Sequence, residues 1–299
     1  MKTPELLSYS MTRRALLLSL AALPFAGFAN AASSDAKATA QTRLAKLETS
    51  AGGRLGLAAL DTADGTRLNY RADERFPLCS TFKLLLLAAV LAHAAKQPAL
   101  MKRRIRYSAR ELIPYSPIAE KHVTDGMLVA ELCAAAIEYS DNTAANLLLK
   151  IVGGPAVLNA YARSIGDTGF RLDRLEPALG SAVPGDARDT TTPIAMAGTL
   201  QLLAIGDTLA TEQRELLLMW LHGTTTGTDR IRAGVLANWQ VGHKTGTGDY
   251  GTANDVAVLT PPDRAPLILA LYFTQRAKDA MVNGGVLAEA TRIVVGSFS

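Results

Sequence analysis

Cysteine, histidine and aromatic side chains are scarce in this 299-residue chain, and each shortage removes a class of function. Two cysteines, Cys79 and Cys133, are too few for a disulfide framework, and they read as buried free thiols. The histidines His93, His122, His222 and His243 show no His-x-x-x-His spacing, and there is no Cys-x-x-Cys. A zinc mechanism therefore has no ligands, and no metal is expected. Charge of one sign is also in short supply. The formal net charge is +4, and Lys2, Arg13 and Arg14 against Glu5 supply +2 of it in a segment expected to be removed. That leaves too little to argue for nucleic acid, and the run Lys102-Arg103-Arg104 reads as solvated surface. Low-complexity tracts and 20–50-residue repeats are missing. So is any apolar run of the roughly 20 residues a spanning helix needs: Leu84–Ala95 is apolar but short, which fits a buried core helix.

What is present is globular: 48% hydrophobic and 19% charged residues, enough chain for one sizeable core or two lobes sharing a cleft. The N-terminus reads as an export signal. Thr12-Arg13-Arg14 precedes the apolar stretch Ala15–Phe28, and Ala29-Asn30-Ala31 fits a small-x-small cleavage site. The paired arginines suggest a twin-arginine route. Residues 1–31 are thus expected to be removed, leaving no membrane anchor and a single periplasmic domain, 32–299.

Residues 38–51 look helical, and alternation in Arg54–Leu60 and Thr66–Arg71 predicts a hairpin. From Ser80 to about Leu221 the pattern is mostly helical, with an irregular interruption at 171–192. Strand signals return at Trp239–Lys244, Asp255–Thr260 and Pro266–Thr274, and 276–296 is helical in period. The expected fold is α+β: an antiparallel sheet flanked by the terminal helices (38–79 and 223–299) beside an all-helical lobe (80–222). The site is expected between them.

Four short motifs fall in that frame. Ser80-Thr81-Phe82-Lys83 opens a predicted helix, so Ser80 and Lys83 share a face and the helix N-terminus surrounds the serine oxygen with free N–H groups. A lysine held neutral can take a serine proton. Ser-x-x-Lys alone is weak, since Ser34-Asp35-Ala36-Lys37 also fits. Ser140-Asp141-Asn142 lies at a junction between predicted helices, where Ser140 can relay a proton and Asn142 can hold an amide; read alone it is a capped turn. Lys244-Thr245-Gly246-Thr247 ends a predicted strand, its glycine admitting a ligand and its Lys and Thr suited to a carboxylate. Glu176 sits in the interruption 171–192, long enough to suspect function, and could activate a water against an acyl-enzyme.

Together these residues resemble the class A serine β-lactamases over essentially the whole mature chain. Tyr115-Ser116-Pro117, Arg174-Leu175-Glu176-Pro177, Arg188-Asp189-Thr190-Thr191-Thr192-Pro193 and Gly251-Thr252-Ala253-Asn254-Asp255 agree with the family pattern. The resemblance implies that Ser80 attacks a β-lactam carbonyl, with the Ser80 and Thr247 N–H groups as oxyanion hole. It leaves Lys83 and Glu176 both open as acylation base. Glu176 would activate the deacylating water and Ser140 would protonate the lactam nitrogen. Lys244, Thr245, Thr247 and Arg230 would hold the substrate carboxylate, with Gly246 letting it approach. Asn142 would hold the side-chain amide, Tyr115 would wall the cleft, and Arg174 with Asp189 would close the loop. No cofactor is implied, and the expected protein is a monomer acting on penicillins and cephalosporins. Glu176–Pro177 is expected to be cis.

Three departures follow from the same comparison. Gly180 stands where many members have an asparagine sharing the hydrolytic water. Gly248 stands where a bridging cysteine would face Cys79. Ala253 replaces a common arginine, with Arg230 as its substitute. Two rivals remain: a penicillin-binding DD-peptidase, which lacks a glutamate placed like Glu176, and a β-lactam sensor that stays acylated.

Overall fold

The computed structural model describes residues 26–298. Residues 1–25 of the expected export signal lie outside them, and Ala31 falls inside the first helix, α1 (Ala26–Ala51). That helix starts twelve residues earlier than its apolar pattern predicts. Its first half is rich in alanine, which favours helix without any apolar stripe to announce it. The fold proper is the compact unit Ala40–Ser299.

The expected hairpin is β1 (Arg54–Asp61) and β2 (Arg67–Tyr70), paired Leu57 to Tyr70 through Leu60 to Arg67. A short strand, β3 (Phe76–Pro77), leads through a 3-10 turn at Cys79–Thr81 into α2 (Phe82–Lys96). The stretch Cys79–Lys96 is long and apolar enough to cross a membrane, yet 72% of it is buried inside the protein. Next come β4 (Arg104–Ile105), β5 (Met127–Leu128), α3 (Val129–Glu138), α4 (Asn142–Val152) and α5 (Pro155–Ser164). After the irregular segment follow β6 (Thr190–Thr191), α6 (Pro193–Ala204) and α7 (Thr211–His222). The chain finishes with β7 (Gln240–Gly248), β8 (Thr252–Thr260), β9 (Leu267–Thr274) and α8 (Gly284–Ser297).

The helical lobe is thus not entirely helical. β4 pairs with β5, and β6 pairs with β3. Two-residue strands carry no alternation, so the sequence pattern has nothing to reveal them.

Five strands form one antiparallel sheet in the order β2-β1-β9-β8-β7. Alternate residues serve its two faces. Leu55, Leu57, Ala59, Leu269, Leu271 and Phe273 pack with Ala40 and Leu44 of α1 and Leu287 and Ile293 of α8. Ala58, Leu60, Val256, Val258, Ile268 and Ala270 pack instead with the helical core around Phe82, Leu84 and Leu148. β9 is buried at every position, which is why it reads as a continuous apolar run rather than an alternating one.

β7 is an edge strand and runs four residues beyond its predicted end, pairing with β8 as far as Gly248–Thr252. Gly246 and Gly248 look like turn formers but serve close approach. A Cβ on Gly246 would lie 3.0 Å from the Leu78 carbonyl oxygen, and one on Gly248 would lie 2.5 Å from that of Gly180. α8 begins eight residues late, at Gly284, after an irregular stretch containing Asp279 and Asn283.

Candidate active site

Ser80 lies in the 3-10 turn that feeds α2, just after Cys79 in a left-handed conformation (φ 41°). Asn254 of β8 donates its side-chain amide to the carbonyls of Pro77 (2.8 Å) and Leu78 (3.2 Å), fixing the backbone ahead of the turn. Lys83, in the first turn of α2, is fully buried. Its Nζ donates to the Ser140 carbonyl (2.8 Å) and Asn142 Oδ1 (2.7 Å), and stands 3.3 Å from Glu176 Oε1. Burial pushes the Lys83 ammonium below its ordinary pKa, against the opposing pull of the Glu176 carboxylate. The Ser80 hydroxyl donates to that same Oε1 at 3.1 Å. One carboxylate oxygen therefore faces both the nucleophile candidate and the lysine.

The α3–α4 junction supplies the next pair. Ser140 adopts φ 58° and turns its side chain into the cleft wall. Asp141 is fully buried and caps α4, accepting from Ala144 N (2.8 Å); its other oxygen accepts from Ile118 N (3.0 Å) and Ala119 N (2.9 Å). The middle residue of this motif is thus an anchor that aims its neighbours. Asn142 N donates to the Tyr115 carbonyl (3.0 Å), while the Tyr115 ring is 60% exposed at the rim.

Glu176 is almost buried, and the Glu176–Pro177 bond is cis, as expected. Asn146 grips its backbone on both sides, accepting from Glu176 N (3.1 Å) and donating to Glu176 O (2.9 Å). Sequence reading missed Asn146. It stands one helical turn after Asn142, and that i, i+4 spacing was the available signal. Below the loop, Asp189 pairs with Arg174 Nε and accepts from the N–H groups of Asp173 (2.7 Å) and Arg174 (2.9 Å). Leu78 N donates to the Asp189 carbonyl (2.8 Å), so the loop and the Ser80 turn share an anchor.

β7 closes the fourth side. Lys244 is fully buried and donates to Ser140 Oγ (3.0 Å) and the Thr245 carbonyl (2.8 Å). Burial, then the Lys83 charge, pushes its pKa well down. Arg230 donates to the carbonyls of Gly246 and Asn254 (both 2.8 Å) and to Thr247 Oγ1 (2.7 Å). The β7 side of the cleft therefore presents the Arg230 guanidinium and several hydroxyls, groups suited to an anion.

Ser80, Tyr115, Ser140, Asn142, Glu176, Arg230, Thr245 and Thr247 line one cavity of 690 Å³, with Thr225, Thr226 and Gly227. Lys83 and Lys244 lie buried beneath its wall. Gly246, Arg174 and Asp189 do not line it; the last two hold the loop from behind. Cys79 and Cys133 are both buried free thiols, and burial raises both thiol pKa values. Among the described residues no group of three His, Cys, Asp or Glu side chains is placed to hold a metal ion.

The sequence profile of the beta-lactamase enzyme family matches residues 39–297. A carbapenem-hydrolyzing beta-lactamase KPC from Klebsiella oxytoca is 53% identical over 292 residues, covering 96% of this chain and 97% of that protein. Beta-lactamase CTX-M-25 from Escherichia coli is 50% identical over 288 residues, covering 96% of each. Among solved structures, a beta-lactamase from Desulfarculus baarsii superposes with a TM-score of 0.87 at 56% identity, covering 88% of this chain and 98% of that one. One from Burkholderia phymatum also gives 0.87, at 50% identity, covering 89% and 100%.

Proposed function

The chain belongs to the class A serine β-lactamases, and from that membership we propose that Ser80, Lys83, Ser140, Glu176 and Lys244 are its catalytic residues. The protein hydrolyses the β-lactam ring of penicillins and cephalosporins through a serine acyl-enzyme and so confers resistance. In this reading the substrate carboxylate lies against Lys244, Arg230, Thr245 and Thr247, beside the backbone that Gly246 leaves open. Asn142 takes the side-chain amide and Tyr115 covers the open face. The lactam oxygen receives the N–H groups of Ser80 and Thr247, where charge develops in the transition state.

Ser80 Oγ attacks the carbonyl and gives its proton to Lys83, or to Glu176, which passes it on to Lys83 Nζ at 3.3 Å and is left ionised. The C–N bond of the ring breaks, and Ser140 passes its proton to the leaving nitrogen, replenished from the lysines that flank it at 3.0 Å (Lys244) and 3.5 Å (Lys83). Glu176 then takes a proton from a water that attacks the ester and returns it to Ser80 Oγ as the acyl C–O bond breaks, releasing the ring-opened acid and leaving Glu176 ionised again. Arg174 and Asp189 hold the loop that presents Glu176.

The observation that carries this reading is the 3.1 Å contact between Ser80 Oγ and Glu176 Oε1, with Lys83 on the same oxygen. A DD-peptidase has no carboxylate there. The test is mass spectrometry of Glu176→Ala mixed with benzylpenicillin. The expected result is a stable adduct of whole-substrate mass on the peptide containing Ser80, absent in Ser80→Ala. No adduct, or an adduct elsewhere, contradicts the assignment.

Residues 1–31 act in this reading as an export signal, and the mature enzyme is a periplasmic monomer of one catalytic domain, 32–299. Its α/β lobe is about 38–79 and 223–299, its helical lobe about 80–222. Periplasmic protein beginning at Ala32 and eluting at monomer size is expected; an uncleaved or dimeric product contradicts it.

A further inference from the structure

The segment after α7 is stitched to both sides of the cleft. Thr225 donates its N–H (2.9 Å) and hydroxyl (2.8 Å) to the Glu138 carbonyl at the end of α3. Thr224 donates to the His243 carbonyl of β7 (2.6 Å), and Arg230 N donates to the Gly227 carbonyl (3.0 Å). Gly227 has φ +70°, and a Cβ there would lie 2.4 Å from Thr245 Cγ2. Only glycine lets this segment press so closely on β7. The result is a contact of 2.6 Å between the hydroxyl oxygens of Thr226 and Thr245.

We propose that Thr226 is a positioning residue for the substrate carboxylate, acting through the Thr245 hydroxyl; this rests on the carboxylate subsite given above. A threonine hydroxyl has one proton to donate and lone pairs to accept with, whereas a carboxylate only accepts. When the carboxylate binds, Thr245 must point its proton at it. The Thr245 oxygen is then left as an acceptor facing Thr226, whose own proton fills that place. The two hydroxyls form a chain that ends on the anion, each bond polarising the next. Without Thr226, Thr245 loses the partner that fixes its oxygen and aims its proton.

The carboxylate takes no part in the bond changes and keeps its charge throughout, so it is held alike in ground and transition states and the effect falls on KM and not on kcat. The experiment is steady-state hydrolysis of benzylpenicillin by wild type, Thr226→Val and Thr226→Ser, and by Thr226→Val in a Thr245→Val background. Loss of the Thr226–Thr245 hydrogen bond that aims the anion-binding proton predicts a KM about five- to tenfold higher in Thr226→Val with kcat unchanged. Thr226→Ser restores the wild-type KM, and in the Thr245→Val background the second substitution adds nothing. An unchanged KM in Thr226→Val, a fall in kcat that serine does not rescue, or an equal effect without Thr245 overturns the role of Thr226. No turnover by wild type overturns the β-lactamase reading itself, so the two failures are told apart.

Discussion

Gly180 has open space at its missing side chain: a Cβ built there meets nothing within 4 Å. Its backbone is nonetheless committed, since Gly180 N donates to the Pro177 carbonyl (3.0 Å) and its own carbonyl accepts from Asp249 N (2.9 Å). A side chain can therefore be added without moving the loop. Gly180→Asn restores the amide that many class A members carry here, and faster release of slowly deacylated substrates is expected. Acyl-enzyme decay followed by stopped flow checks this; unchanged decay for every substrate contradicts it. Gly248 is the opposite case. Its missing Cβ would lie 2.7 Å from Cys79 Sγ and 2.5 Å from the Gly180 oxygen, so it is glycine for want of room. The cavity residues Ser80, Ser140, Glu176 and Thr245 were legible in the sequence because they fall in short motifs whose chemistry is local. Asn146 and Thr226 were not. Each works on a partner distant in sequence, through a backbone amide or a second hydroxyl, and carries no motif.

Among the elements, the hairpin, the core helix and the helix pair around Ser140 follow from periodicity and caps that the sequence displays. Strand β7 does not, because its glycines look like turn formers until the neighbours that crowd them are known. One tie between elements is invisible in sequence: Glu48, near the end of α1, accepts from Leu55 N (2.8 Å), Tyr70 OH (2.7 Å) and Arg71 Nε (2.8 Å). It joins α1, β1 and the end of β2 in one half-buried cluster. Burial raises the Glu48 pKa, but the Arg71, Leu55 and Tyr70 hydrogen bonds outweigh it, and the net value lies below the ordinary 4.5. A carboxyl lowered in this way contributes stability above its unfolded pKa and loses it as pH falls through the folded one. Glu48→Gln should therefore cost about 2 kcal/mol at pH 7, the net worth of hydrogen bonds to a charged group. The gap to wild type should close as pH falls below 4.5, the ordinary value. Denaturant unfolding at pH 7 and below pH 4 measures both; a gap independent of pH contradicts the assignment.

At the scale of the molecule, the sheet and the helices share a core. Val256 and Ile268 of the sheet lie in the same apolar cluster as Leu84 and Leu148 of the helices, and residues of both layers line the Ser80 cavity. This setting buries Lys83, Lys244 and Arg230 with Glu176, Asp141 and Asp255, an arrangement costly to desolvate and characteristic of functional sites. The family resemblance carried by the order and spacing of the motifs implied that convergence, since a fixed fold brings fixed positions together. The distances that decide which group takes which proton were not in the sequence. The most direct test counts the benzylpenicillin rings opened per molecule of mature protein, with Glu176→Ala alongside. Many turnovers by wild type, falling to about one in the variant, are predicted from acylation without deacylation. A single ring opened by wild type, or undiminished turnover in Glu176→Ala, would contradict the account.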